Sequence, residues 1–450
     1  MKVVFVSTLY APNERGGAER TVRILAEALV AAGHEAVAIS LAPDGVAREG
    51  VVNGVKTYYV PLANIFWKQS EEPRSRLSRM LWHGIDAWNP VMAARVARIL
   101  RRERPDVVQT GNLQGFSVAL WGAVRRQRIP LVQMLHDYYL GCPKSTMTVG
   151  EHNCAVQCRS CRLFAIPRRA HSNLPAAVIS LSRRMLTRLE DTGLFADVPH
   201  KYIIHGINKA DPATVPRENK APGASIVVGY LGRIENTKGI EVLLDAASRL
   251  PASQLTVLLG GKGDDDYAAS LRQRHAAANI RFLGFVKPAE FFRQIDVLVV
   301  PSVWEEPLGR VIYEGYAHGV PSLVANVGGM PEIVAAGSTG YVFRSGDSTD
   351  LAARLRRLID NGLPGRDFFE ACVARSRDFG VERVFGEYLK VWDAAIREQS
   401  GSGLSFPRKR ESALQPMDSH ARSGREQALH GDGNPVDTLH QEPAKRVGSP

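Results

Sequence analysis

Cysteine is scarce in this chain, with five residues among 450. That is too few to staple a small secreted scaffold through disulfides. Long apolar runs are also missing. Lys2 leads into Val3-Val4-Phe5-Val6, but Ser7 and Thr8 end the run, short of the ~7–15 residues of a signal-peptide core. No stretch approaches the ~18 apolar residues of a membrane span. A cytoplasmic protein is therefore expected. The charge excess is mild: 57 Lys and Arg against 46 Asp and Glu leave +11, which permits an anionic partner without naming one. Hydrophobic residues at 44% and charged residues at 23% are those of an ordinary globular protein. At ~100–200 residues per domain, the length suggests two domains.

The last fifty residues stand apart. Residues 401–450 carry seven Lys and Arg against six Asp and Glu, so they add only +1 of the +11. They show no apolar period and are rich in Gly, Ser, Pro, Gln and His, the composition of a segment that cannot bury a core. A disordered tail is expected there.

Residues 1–400 alternate short apolar runs with helical periods. Strands are expected at 2–7, 36–39, 55–60, 106–109, 131–135, 178–181 and 202–204. A helix over 18–32 places Val22, Leu25, Ala26 and Leu29 on one face and ends at Gly33. The pattern breaks at 206–224, where Pro212, Pro216 and Pro222 mark a linker. It then restarts with strands at 226–231, 255–259, 280–283, 297–300 and 322–324, and with helices at 239–250, 267–278, 309–318 and 350–358. Continuous apolar strands between helices imply parallel sheets covered on both faces. The expected fold is thus α/β, with two doubly wound Rossmann-like domains, 1–205 and 225–378, facing a cleft. In such sheets ligands bind beyond the carboxyl ends of the strands.

The richest segment is 300–321. Glu306 stands in a loop after a buried strand, and Glu314 lies more than one turn into the following helix. Gly309 allows close backbone approach at the helix start, where free N–H groups favour an anion. Two ionised carboxylates there could hold hydroxyl groups; two solvated helix-end glutamates are the plainer alternative. A second element, Gly232-Arg233-Ile234-Glu235-Asn236-Thr237-Lys238-Gly239, brings two cations to the end of a strand, a combination that suits a diphosphate. In the first half, Gly16-Gly17-Ala18-Glu19 follows a strand and opens a helix, and His136-Asp137 ends another strand.

Together these motifs resemble the retaining glycosyltransferases of family four, which have the GT-B fold. The resemblance spans about 1–400. It departs at Pro307-Leu308-Gly309, where an aromatic before the glycine is usual, and at Gly315, where Ala is common. It implies that Glu306 touches the donor sugar and Glu314 the ribose, with Leu308 and Gly309 beside them. Arg233 and Lys238 would neutralise the leaving diphosphate, and Gly16, Gly17 and His136 would face the donor from the first domain. It also implies an acceptor-side role for 1–205, nucleotide-sugar binding by 225–378, and a last helix, 379–400, that crosses back to the first domain. No cofactor is needed for catalysis in this reading.

Cys142, Cys154, Cys158 and Cys161 crowd into twenty residues. Their spacing reads as a metal site, structural zinc first among the candidates, with an iron–sulfur cluster or unconnected thiols as alternatives. A subgroup of the resembled family has a similar insertion over 142–161. Arginines crowd 74–104 and 159–188, and Leu77, Leu81, Ile85 and Trp88 recur between them at helical spacing. Such a helix can lie at a membrane interface or pack its stripe on its own core, so a peripheral position on the inner membrane stays open. No nucleic-acid module is present.

The expected activity is a nucleotide-sugar-dependent hexosyltransferase. It would move a sugar from a UDP- or GDP-sugar, with retention, to a lipid-linked or saccharide acceptor in cell-surface polysaccharide or glycolipid synthesis. A nucleotide-sugar epimerase of the same fold and a non-catalytic basic binding protein are the alternatives.

Overall fold

The computed structural model describes residues 1–67, 74–150 and 152–400, which lie within one compact unit. The expected tail, 401–450, lies outside the described residues. The first sheet draws on β1 (Lys2–Val6), β2 (Glu35–Ala42), β3 (Arg48–Val52), β4 (Val55–Pro61), β5 (Val107–Thr110), β6 (Leu131–Leu135), β9 (Ala177–Ser180) and β10 (His200–Ile203). A small hairpin, β7 (Thr148–Val149) and β8 (His152–Asn153), stands outside it. The helices of this half are α1 (Gly17–Ala31), α2 (Arg76–Ala87), α3 (Pro90–Glu103), α4 (Ala119–Arg126), α5 (Arg159–Phe164), α6 (Ile166–His171) and α7 (Arg183–Glu190).

The second sheet follows with β11 (Ile226–Leu231), β12 (Leu255–Gly260), β13 (Ile280–Gly284), β14 (Val297–Val300), β15 (Ser322–Ala325) and β16 (Gly340–Phe343). Its helices are α8 (Ile240–Ala247), α9 (Asp265–Arg274), α10 (Pro288–Gln294), α11 (Arg310–Ala317), α12 (Ser348–Asp360) and α13 (Gly365–Ser376), and α14 (Val381–Gln399) ends the described chain.

The first sheet runs β10-β9-β6-β5-β1-β2-β4-β3 and the second β13-β12-β11-β14-β15-β16. All neighbours are parallel except β3, which pairs antiparallel with β4. Period-two alternation explains the layering. Val4 and Val6 face one core, while Val3 and Phe5 face another on the opposite side of the sheet. That second core is closed by α14, whose Val384, Tyr388, Val391 and Trp392 pack beside Val3 and Phe5. The Trp392 indole N–H donates to Gln109 Oε1 at 2.8 Å. The last helix therefore belongs to the first sheet although it follows the second in sequence.

Strand order reverses beside β1 in the first sheet and between β11 and β14 in the second. At such a switch point, neighbouring loops splay apart and leave a crevice at the strand carboxyl ends. The loops leaving β11 and β14 contain Lys238 and Glu306. Segment 206–224 is largely irregular. It is pinned where Asn208 N–H donates to Phe379 O at 2.7 Å. Helices 239–250 and 267–278 are shorter than expected, at Ile240–Ala247 and Asp265–Arg274.

Candidate functional site

Close backbone contacts build one wall of the crevice in the second half. Ser302 Oγ, Val303 N–H and Trp304 N–H all converge on Thr237 O, at 3.1, 3.1 and 3.2 Å. This ties the loop after β14 to the loop after β11. Gly239 adopts φ +65°, and a β-carbon there would sit 2.1 Å from Pro301 O, so only glycine lets the two loops meet. The next turn is set by Gly328 and Gly329, and Gly329 N–H donates to Glu306 O at 2.8 Å. A β-carbon on Gly328 would lie 2.2 Å from that oxygen.

Within this frame, Lys238 Nζ meets Glu306 Oε1 at 2.9 Å and sits 5.0 Å above the Trp304 ring. Both charged side chains are largely buried. Glu314, one turn into α11, accepts from Arg310 Nε at 2.8 Å and from Arg20 Nη1 at 3.3 Å. Arg20 lies on α1, so this contact joins the two halves. Gly17 lies against the same arginine: a β-carbon there would be 3.3 Å from Arg310 Cδ. Gly16 is the N-cap of α1. Gly309 caps α11 in the left-handed region at φ +88°. The Leu308 side chain is buried in the core of the second sheet, with Val228 and Leu298, so only its backbone can face a ligand.

His136 stands at the carboxyl end of β6 with its ring 3.2 Å from the β-carbon position of Gly111. Burial holds it well below the usual imidazole range, at about 4, so the ring is neutral near pH 7. Among the described residues, its Nε2 is buried without a hydrogen-bond partner. Arg233 is not drawn to the Lys238–Glu306 pair. Its side chain is 71% exposed and pairs with Glu235 at 3.1 Å.

The first half also grips the loop after β14 through residues the motifs did not single out. Asn153 donates to Val303 O at 2.7 Å and accepts from Glu305 N–H at 3.0 Å. The Trp304 indole N–H donates to Thr146 O at 2.7 Å. Arg188 pairs with Glu305 at 3.0 Å, and Arg184 pairs with the same carboxylate. Ser182 caps α7 by accepting from Met185 N–H, and it donates to Pro307 O at 2.6 Å. Glu332 accepts from Arg183 N–H and Arg184 N–H, each at 2.8 Å. Its carboxylate thereby satisfies free donors at the start of α7.

The segment that carries Cys142, Cys154, Cys158 and Cys161 is thus part of this wall. Cys142 and Cys161 place their sulfurs 3.6 Å apart, while Cys158 contacts Ser160 Oγ at 3.3 Å. None of the four is in a disulfide. Among the described residues, no group of three or more His, Cys, Asp or Glu is gathered as a metal-holding set.

Comparison with known proteins agrees with this architecture. Residues 16–200 match the family described as glycosyl transferase 4-like domain, and residues 213–374 match glycosyl transferases group 1. An uncharacterized 42.6 kDa protein in the cps region of Klebsiella pneumoniae is 29% identical over 74% of this chain and 87% of its own length. Glycogen synthase of Mycobacterium tuberculosis is 27% identical over 88% of this chain and 95% of its own. Among solved structures, Anabaena HepE in complex with UDP and glucose superposes with a TM-score of 0.63 at 21% identity, over 88% of this chain and all of that one. Sucrose-phosphate synthase from Thermosynechococcus elongatus gives 0.68 at 19% identity, over 88% and 99%. With two family domains in this order, and two largely parallel sheets, the chain belongs to the glycosyltransferases of the GT-B fold.

Proposed function

We propose that the chain transfers a hexose, with retention, from a UDP- or GDP-sugar to a hydroxyl of a lipid-linked or saccharide acceptor in polysaccharide or glycolipid synthesis. The observation that carries this reading is the pair Glu306 and Glu314 flanking the start of α11, each held by a cation. The mycobacterial glycogen synthase and the cps-region protein among the relatives, and the UDP bound by HepE, favour this substrate class.

In this reading, Lys238 turns from Glu306 to the donor diphosphate, and Arg233 swings in from solvent to join it. The free N–H groups at α11, presented through Leu308 and Gly309, add to that preorganised positive field. Glu306, released, accepts from sugar hydroxyls, and Glu314 accepts from the ribose. Neutral His136 offers Nε2 to the sugar, and the Gly16-Gly17 backbone closes over it. The bond from the anomeric carbon to the phosphate oxygen breaks while the acceptor oxygen bonds on the same face. The departing phosphate oxygen takes the acceptor's proton. Two cations carry the leaving charge, so no divalent metal is required for the step.

Structural zinc on Cys142, Cys154, Cys158 and Cys161 is part of the proposal. The 3.6 Å separation of Cys142 and Cys161 is near the ~3.8 Å edge that Zn–S bonds of ~2.3 Å give a tetrahedron. Cys154 and Cys158 would turn toward them to complete the set.

A nucleotide-sugar panel scored by thermal shift, followed by anomer assignment of the product by NMR, tests the reading. A donor at ~100 times its dissociation constant should stabilise by ~2.7 kcal/mol. Glu306→Gln should lower turnover by about 10²-fold or more. Wild-type turnover in that variant, or an inverted product, would refute it.

A further inference from the structure

The stripe on α2 does not pack on the protein's own core. Leu77, Leu81, Ile85 and Trp88 are 66, 54, 36 and 39% exposed. The other side of the same helix holds Trp82 and Asp86 inside. A surface helix ordinarily turns polar residues outward, so α2 is apolar on the wrong side for a freely solvated face. The patch continues onto α5 and α6, where Leu163 and Ile166 are 61 and 54% exposed. The helices are in contact: His83 lies 5.8 Å from Phe164 and Trp88 lies 4.5 Å from His171, ring to ring. Arg76, Arg79 and Arg159 are exposed around it, and among the described residues none of the three has a carboxylate within ion-pair distance.

We propose that this face docks on the surface of an anionic phospholipid bilayer. Exposed leucines and isoleucine would enter the acyl boundary, Trp88 would sit at headgroup level, and the arginines would meet lipid phosphates. The charge pattern selects this occupant. A second copy of the chain in a two-fold pair would set the same arginines against themselves, and a nucleic-acid backbone has no use for the apolar centre.

The face is also wired to the first-half side of the site. Asp86 of α2 accepts from Gly115 N–H at 2.6 Å and from Tyr139 OH at 2.7 Å, and Tyr139 lies three residues beyond His136. A lipid-borne acceptor in that bilayer would therefore reach the wall that carries His136. This last point rests on the proposed sugar transfer, whereas the docking itself does not.

The test uses the full chain and phosphatidylcholine vesicles with and without phosphatidylglycerol. Wild type should co-sediment with the anionic vesicles, with a blue shift of tryptophan emission, and release at high salt. The double variant Leu81→Glu/Ile85→Glu and the double variant Arg76→Glu/Arg79→Glu should each bind at least about tenfold more weakly. All these side chains are exposed, so both variants should keep the wild-type melting temperature; if the apolar pair fails to fold, the arginine pair decides. Wild-type binding no stronger to anionic than to neutral vesicles would overturn the proposal. So would a wild-type dimer in sedimentation velocity that Leu81→Glu/Ile85→Glu dissolves. Donor binding by thermal shift reads the sugar-transfer proposal separately, so failure of one is distinguishable from failure of the other.

Discussion

Replacing Gly328 with Ala should separate stability from turnover. Gly328 has φ +61°, and an added β-carbon would lie 2.2 Å from Glu306 O and 2.5 Å from Glu306 N. Ordinary carbon–oxygen contacts lie near ~3.3 Å, so the Glu306 peptide must retreat by ~1 Å or the turn must open. Glu306 is the residue proposed to hold the sugar, and a ~1 Å misplacement of a reacting group costs about 10²-fold in rate. The left-handed backbone alone costs a non-glycine residue ~1–2 kcal/mol. Gly337→Ala supplies the control. It has φ +82° with nothing within 4 Å of its β-carbon position, so it carries the backbone cost without the clash. Both variants should melt a few degrees lower by scanning fluorimetry. Only Gly328→Ala should lose about 10²-fold in kcat at saturating donor. If Gly328→Ala turns over like wild type, Glu306 is not held where the reaction needs it.

Asn153→Ala removes both of its hydrogen bonds to the loop after β14, worth roughly 1 kcal/mol each. If that loop holds the donor as proposed, nucleotide affinity by calorimetry should fall about five- to thirtyfold, and unchanged affinity would mean Asn153 does not support it. His136 sits at about 4 in the folded chain against ~6.5 unfolded. The unfolded chain therefore binds more protons between those values, so the stability this group allows is complete above ~6.5 and is lost as pH falls toward 4. The loss approaches ~3 kcal/mol. Melting temperature against pH should flatten in that window for His136→Gln, and parallel curves for variant and wild type would discard the assignment. Near-stoichiometric zinc is expected in wild type by metal analysis and should drop in Cys158→Ser; absence of metal in both would remove zinc from the account.

The elements most legible in the sequence are those whose physics is local. Strands β1 and β14 are buried on both faces, so Val3–Val6 and Val297–Val300 read as unbroken apolar runs. Helix α14 reads from its own period. Strand β3 is an exposed edge whose residues, Arg48-Glu49-Gly50-Val51-Val52, bury little and show no alternation. Its signal lies instead in the turn: Asn53 and Gly54 both take positive φ, at 50° and 80°, the pairing a two-residue hairpin demands. At the candidate site, Lys238, Glu306 and Glu314 stand out in the sequence because they lie in the segments that follow β11 and β14, near Gly239, Gly309 and Gly315. The grip of Asn153, Ser182 and Glu332 does not, because each partner lies more than a hundred residues away and no spacing announces it. The pair Gly328-Gly329 did leave a trace, two glycines directly beyond β15. The outward stripe on α2 was visible as periodicity, but period alone does not say which way a helix is turned. Burial of Trp82 and Asp86 settles that.

Glu305 and Glu306 show how one loop serves two halves. They are adjacent, and alternation along an extended segment points successive side chains in opposite directions. Glu305 turns to the first half and meets Arg188 and Arg184, while Glu306 turns to the second and meets Lys238. The near-buried Arg188–Glu305 pair is costly to leave half-made, so the loop holds its place only while the halves are together. Glu306 needs no such permanence in the proposed transfer, in which Lys238 leaves it for the donor phosphate. A shift of register by one residue would exchange the two carboxylates. The turn at Gly328-Gly329, which fixes the Glu306 peptide, and Asn153, which fixes the Glu305 peptide, are the two points that forbid it. The site therefore depends on backbone anchoring from both halves as much as on its charges.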